Sequence, residues 1–231
     1  MRTDYEGHDA GYRKLKADNK PGWSSTEEID NHLANLERLF HAGHVPKSGS
    51  MLELGCGAGD LSLQLQGRGY ELHGVDIAPT AIQWAREKAT QTGVRADFQE
   101  GSVLDLKNYA DGMFDVVMDG HCFHCIIGED RRRFLASSRR VLRPGGALMI
   151  ATMCNEPGEG WAKEHVDSTS RNMIADNGVA VRYLGRADDI LQEVLSAGFS
   201  IRHWEVIPAK DSADQDELVV IASRSVGEIR Q

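Results

Sequence analysis

The run MLELGCGAGDLSLQL, residues 51–65, limits the fold more than any other stretch. Apolar residues lead into Gly55, Gly57 and Gly59, and a segment with helical apolar spacing follows. That order predicts a strand, a tight turn and a helix. Glycine allows positive φ and lets the backbone come close to a ligand. A helix N-terminus behind such a turn offers free N–H groups and the positive end of its dipole. The spacing, however, is not that of a pyrophosphate turn. A dinucleotide fingerprint wants its third Gly or Ala where this chain has Asp60, and here the third glycine comes one residue early. A carboxylate at that point suits a ligand without phosphates, and a cationic one best.

A second acid supports a nucleoside. ELHGVDIAP puts Asp76 at the end of the second strand, 21 residues after Gly55. A carboxylate that bonds a ribose diol stands about 20 residues on. The local alternative for Asp76 is a cap on the helix that begins at Thr80.

The rest of the chain fits the same architecture. Residues 1–22 are polar and read as a loosely structured arm with one short helix around 12–16. Ser25 and Glu28 have capping-box spacing, and Ile29, Leu33, Leu36, Leu39 and Phe40 continue at helical spacing to Gly43. Strands over 50–54, 71–75, 96–99, 114–118 and 147–153 alternate with helices over 60–66, 80–90 and 132–142. Such alternation means βαβ units and a parallel sheet. A helix over 187–197 precedes two strands, 201–207 and 217–223. The connection 208–216 is too short for a crossover, so these two strands pair antiparallel. Segment 154–184 is long, irregular and marked by Gly and Pro, as functional lids are.

Four separate motifs, Glu53-Leu-Gly-Cys-Gly-Ala-Gly59, Asp76, Phe114-Asp-Val-Val and Leu142-Arg-Pro-Gly-Gly146, together resemble the class I S-adenosylmethionine-dependent methyltransferases. The resemblance covers residues 50–223. It implies a Rossmann-like, doubly wound α/β fold with a seven-stranded, mostly parallel sheet whose last inserted strand is antiparallel. It further implies S-adenosylmethionine as cofactor. Glu53, Gly55, Cys56, Gly57 and Gly59 would shape the pocket for its methionine part. Asp76 would bind the ribose hydroxyls and Ile77 would lie against the adenine. Ser102 and Val103 stand at the adenine edge. Because Ser102 replaces the family's usual Asp or Asn, adenine recognition falls to the Val103 backbone or to water. Asp119, ending the fourth strand, stands where the family meets cofactor and substrate.

Methyl transfer from a sulfonium is a direct displacement, so the protein mainly aligns the reactants and excludes water. A base is needed only where the acceptor carries a proton that must leave. His121 and His124, in Asp119-Gly-His-Cys-Phe-His-Cys125, are the candidates. Cys56, Cys122, Cys125 and Cys154 follow three neighbouring strands and could gather with these histidines around a soft ion. They lack a second CxxC, and no metal is expected. Substrate residues are sought in the arm (Tyr12, Lys14 and Trp23) and in the long segment (Trp161, His165, Arg171, Arg182 and Tyr183). Of these, Tyr12, Trp23, Trp161 and Arg182 are the candidates. The domain reading is an arm or lid over 1–24 and one methyltransferase domain over 25–231, with 154–184 as a substrate-side insertion.

Net charge is −9, which argues against a nucleic-acid partner. Arg131, Arg132 and Arg133 read as the solvated first turn of a helix. There is no apolar run of membrane-spanning length and no secretory signal, so a soluble cytoplasmic protein with a small-molecule substrate is expected. Two rivals stay open. One is a nicotinamide oxidoreductase, disfavoured by Asp60. The other is an S-adenosylmethionine-binding or metal(loid)-handling protein without ordinary methyl transfer.

Overall fold

The computed structural model describes residues 2–225. Strand β1 (Gly49–Leu54) lies inside the sheet because its side chains have no use for water: Met51, Leu52 and Leu54 are each at most 1% exposed. It pairs in parallel with β2 (Tyr70–Asp76) on one side and β4 (Phe114–Asp119) on the other. With β3 (Ala96–Glu100), β5 (Leu142–Cys154), β8 (Phe199–Ile207) and β9 (Asp216–Arg224), the order is β3-β2-β1-β4-β5-β9-β8. β9 runs antiparallel to β8, as the short 208–216 connection demands, and antiparallel to β5 as well. The direction of chain progression reverses between β1 and β4, which opens a crevice at the carboxyl ends of these strands.

Alternate side chains serve opposite faces. Leu52, Leu54, Val117 and Leu148 meet Phe134 of α5 (Asp130–Val141) and Ile190 of α7 (Ala187–Ser196). Met51, Val116, Met118 and Met149 meet Leu36, Leu39 and Phe40 of α2 (Thr26–His41). Helix α2 starts on the expected capping box: Ser25 Oγ accepts from Glu28 N at 3.2 Å, and the Glu28 carboxylate accepts from Ser25 N at 2.6 Å. Pro79 opens α4 (Pro79–Thr92), where its missing N–H costs nothing.

Three expectations need correction. The arm is not loose. It forms α1 (His8–Ala17), buries Tyr12, and is tied by polar contacts that composition does not reveal. Asp9 accepts from Thr80 N at 2.8 Å and so caps α4, the task considered for Asp76. Lys16 pairs with Glu87 at 2.6 Å. Segment 154–184 is not irregular throughout. It contains α6 (Trp161–His165) and an antiparallel hairpin of β6 (Asn172–Ile174) and β7 (Ala180–Tyr183). Arg131 is not solvated either; it is 3% exposed. Its Nη2 lies 2.7 Å from Glu193 on α7, its Nη1 donates to Phe123 O at 2.8 Å, and the rings of Phe123 and Tyr183 sandwich its guanidinium. Helix periodicity put that side of α5 inward, and Arg is tolerated there because each guanidinium nitrogen finds a partner.

Helix α3 (Asp60–Gln64) is bound to β1 by Glu53, whose carboxylate accepts from Ser62 N at 3.1 Å and from Ser62 Oγ. Glu53 is fully buried, and burial pushes its pKa up to about 8. Among the described residues no helix is long and apolar enough to cross a membrane.

Replacing Arg131 by Ala will cost about 3 kcal/mol in urea denaturation, the low end for breaking a buried pair because Glu193 keeps some access to water. Arg132→Ala, an exposed neighbour, will change stability by less than about 0.5 kcal/mol. Glu53 gives a pH signature. Its folded pKa is raised, so its contribution is full below the ordinary value of 4.5 and is lost as pH rises to about 8. Glu53→Gln cannot ionise and still accepts from Ser62 N. Denaturation at increasing pH over that range will show the variant gaining on the native chain, and parallel curves will show that Glu53 does not titrate there.

Candidate active site

At the carboxyl ends of β1, β2 and β4 lies a cavity of about 510 Å³. Its floor is the turn after β1. Gly55, Gly57 and Gly59 all adopt positive φ (64°, 53° and 76°). A Cβ on Gly55 would meet Cys122 Cβ at 2.5 Å, and one on Gly57 would strike the Tyr12 hydroxyl. Only glycine fits either place. The floor continues through Asp76, Ile77, Ser102 and Val103.

Asp76 is held by two backbone donors, Gly57 N to Oδ2 and Ala78 N to Oδ1, both at 2.9 Å. Burial raises its pKa, while these N–H groups and the charge of His8 oppose the rise. Asp76 therefore fixes the glycine turn against β2 and also borders the cavity. Asp60 borders it as well, but its carboxylate is paired with Lys88. The acid that the sequence offered to a cationic ligand is already neutralised by the protein.

The roof is built from the arm and the insertion. Tyr5, His8, Tyr12 and Trp23 come from one side, Trp161, Val179, Val181 and Arg182 from the other. The two sides are joined where Ala180 N donates to Arg2 O at 3.0 Å. Tyr5 OH also accepts from Ile127 N and donates to Asp130, both at 3.1 Å. Arg171 and Tyr183 serve structure instead. Arg171 donates to Leu184 O at 2.9 Å, and Tyr183 stacks on Arg131. His165 stacks on Trp161 and meets Asp176 at 3.1 Å. Lys14 is exposed and does not border the cavity.

The remaining wall is the turn after β4. His121 and His124 both border the cavity, their rings 5.9 Å apart and edge-on. His121 adopts φ of 64°. Burial pulls its pKa down, but Glu217, with Oε1 at 2.5 Å from Nε2, outweighs burial and leaves it raised. His124 is fully buried. Burial first, and the charges of His121 and Arg182 next, hold it well below its ordinary value, so it is a neutral imidazole. Its Nδ1 has no hydrogen-bond partner.

Two expected residues do not border the cavity. Gly59 caps α3 and faces Phe98, where a Cβ would stand 2.8 Å from the ring. Asp119 is buried below the wall and accepts from Cys122 N at 2.9 Å and Phe123 N at 3.0 Å. The four thiols do not gather. Cys56, Cys122 and Cys125 border the cavity, but Cys154 faces the apolar core with Ile150 and Leu218. Burial raises the pKa of each, to about 11 for Cys125, so they are thiols and not thiolates at neutral pH. Sequence reasoning missed Tyr5, His8 and His32. His32 did carry a signal, since it lies on the apolar stripe of α2 between Ile29 and Leu36.

Residues 52–150 match a model described as a methyltransferase domain. The demethylmenaquinone methyltransferase of Thermus thermophilus is 32% identical over 168 residues, 66% of this chain and 75% of that protein. The ribosomal RNA small subunit methyltransferase C of Alcanivorax borkumensis is 29% identical over 161 residues, 65% of this chain and 47% of its own length. The chain spans about half the length of three of the curated relatives it matches. A crystal structure of the Burkholderia thailandensis 1,6-didemethyltoxoflavin-N1-methyltransferase, with 1,6-didemethyltoxoflavin and S-adenosylhomocysteine bound, superposes with a TM-score of 0.70. That likeness covers 94% of this chain and 87% of that one at 19% identity, and it is a likeness of fold. With the strand order, the glycine turn and the acid closing β2, these matches place the chain in the class I S-adenosylmethionine-dependent methyltransferases.

Proposed function

We propose that the chain transfers the methyl group of S-adenosylmethionine to a small-molecule acceptor by direct displacement. One observation carries the reading: a single roofed cavity joins the Asp76–glycine-turn end to an end lined by His121, His124 and Arg182. Its volume, about 510 Å³, lies within the range of small-molecule sites. A roofed pocket in an acidic chain favours a small acceptor over RNA, although one relative is named for ribosomal RNA.

The cofactor supplies an activated methyl on a sulfonium. Toward it, Asp76 binds the ribose hydroxyls and Ile77 packs on the adenine, with Ser102 and the Val103 backbone at its edge. Glu53, Gly55, Cys56 and Gly57 shape the amino-acid end. Gly59 acts from behind, by seating α3 against Phe98, and Asp119 by holding the turn that carries His121. The arm, 1–24, and the insertion, 154–184, form the lid that excludes water and orients the acceptor through Tyr12, Trp23, Trp161 and Arg182. Arg182 suits an acceptor with an anionic or strongly polar group. Where the acceptor must lose a proton, His124, which borders the cavity, receives it. The unpaired thiols suit a reducing, cytoplasmic setting.

Calorimetry tests the cofactor end. S-adenosylhomocysteine will bind and NAD will not. Asp76→Ala will weaken binding about ten-fold or more, the worth of charge-assisted bonds; native affinity in the variant sinks the ribose role. Removal of residues 1–22 will also lower the affinity, and an unchanged value refutes the roof. A turnover screen with demethylmenaquinone-type, toxoflavin-type and ribosomal RNA acceptors tests the other end. With an accepted small molecule, His124→Ala will reduce kcat about a hundred-fold and leave S-adenosylhomocysteine affinity intact. Methylation of RNA alone overturns the small-molecule reading.

A further inference from the structure

Three side chains that methyl transfer does not require meet beside the main cavity. His32 comes from α2, His121 from the turn after β4, and Glu217 from the start of β9. One donor atom of each lies within 4.8 Å of the other two. The rings of His32 and His121 are 4.2 Å apart between centroids. His121 Nε2 is closed off from water and has no aligned hydrogen-bond partner, although Glu217 Oε1 is only 2.5 Å away. The φ of 64° at His121 is one that residues with a Cβ rarely adopt.

An ion pair between His121 and Glu217 explains two of the three residues and leaves His32 unexplained. A bound cation accounts for all three, because it uses both imidazoles and the carboxylate as ligands.

We propose that His32, His121 and Glu217 bind one divalent transition-metal ion of the zinc type. Two imidazoles and a carboxylate suit zinc, nickel or iron better than magnesium or calcium. Three protein ligands leave a coordination position open, as in catalytic rather than structural sites. Room for a further ligand exists in a small cavity of about 40 Å³, where His32, His121, Glu217, Asn35 and Asp119 meet an otherwise apolar wall that includes Leu36, Met118 and Met149. That volume holds about one water. Asp119 Oδ2, buried and without a partner, is an acceptor ready for such a water. His32 and His121 also border the main cavity, which puts the ion at the acceptor end. This site differs from the four-thiol cluster considered from the sequence, and it contains no cysteine.

The test needs no methyl transfer. The metal-free full chain is titrated with Co²⁺ and with Zn²⁺ in the absence of cofactor. One equivalent binds, with visible ligand-field bands and no thiolate charge-transfer band. His32→Asn and Glu217→Gln each raise the dissociation constant ten-fold or more while circular dichroism is unchanged. Lack of binding at about 0.1 mM ion, a thiolate charge-transfer band, or native affinity in both variants overturns the assignment. Should a variant unfold, the stoichiometry and cobalt spectrum of the unaltered chain decide the matter alone.

Discussion

Two loops touch at Gly55. The turn leaving β1 and the turn leaving β4 come so close that a single added methyl would overlap Cys122 Cβ. Neighbouring parallel strands place their following loops side by side, and at this switch point the loops diverge to opposite faces of the sheet. Their contact at the base decides how wide the crevice opens above. A larger residue at 55 would force the turn that carries Cys122 to shift.

The same economy governs the acids. Glu53, Asp76 and Asp119 end three adjacent strands, and each is buried. Each accepts from backbone N–H groups of a nearby loop: Glu53 from Ser62, Asp76 from Gly57 and Ala78, and Asp119 from Cys122 and Phe123. Burial raises the pKa of all three, to about 6 for Asp119. A carboxylate in low dielectric is costly unless bonded, so each acid forces its loop into one shape. Loop geometry is written in the strand ends.

Legibility followed the range of the signal. Ser25 and Glu28 declared a helix start because a capping box lies within one turn. The antiparallel last pair followed from chain length alone. Asp76 was found because its distance from the turn is set by one βαβ unit. Arg131 was misread because its partners, Glu193 and Phe123, lie on other elements, and a lone arginine looks alike on either face of a helix. Cys154 seemed to share the edge with the other thiols, but alternation along β5 turns it to the core. His32 and Glu217 are 185 positions apart in sequence and meet only through tertiary packing. The arm reads as loose in the sequence because its order rests on polar bonds to distant partners and on Tyr12 packing against Ala78 and Ala81.

Those bonds have a consequence for traffic. The arm reaches Thr80, Ile127, Asp130 and Ala180, partners spread over much of the chain. Among the residues of α1 only Tyr12 is buried. Releasing the arm therefore breaks a few exchangeable polar bonds, the contacts of Tyr12 with Ala78 and Ala81, and the packing of Tyr5 against the main core. Local opening of that kind is far less costly than global unfolding. A cavity roofed by such a segment is opened by local motion, without unfolding the sheet beneath it.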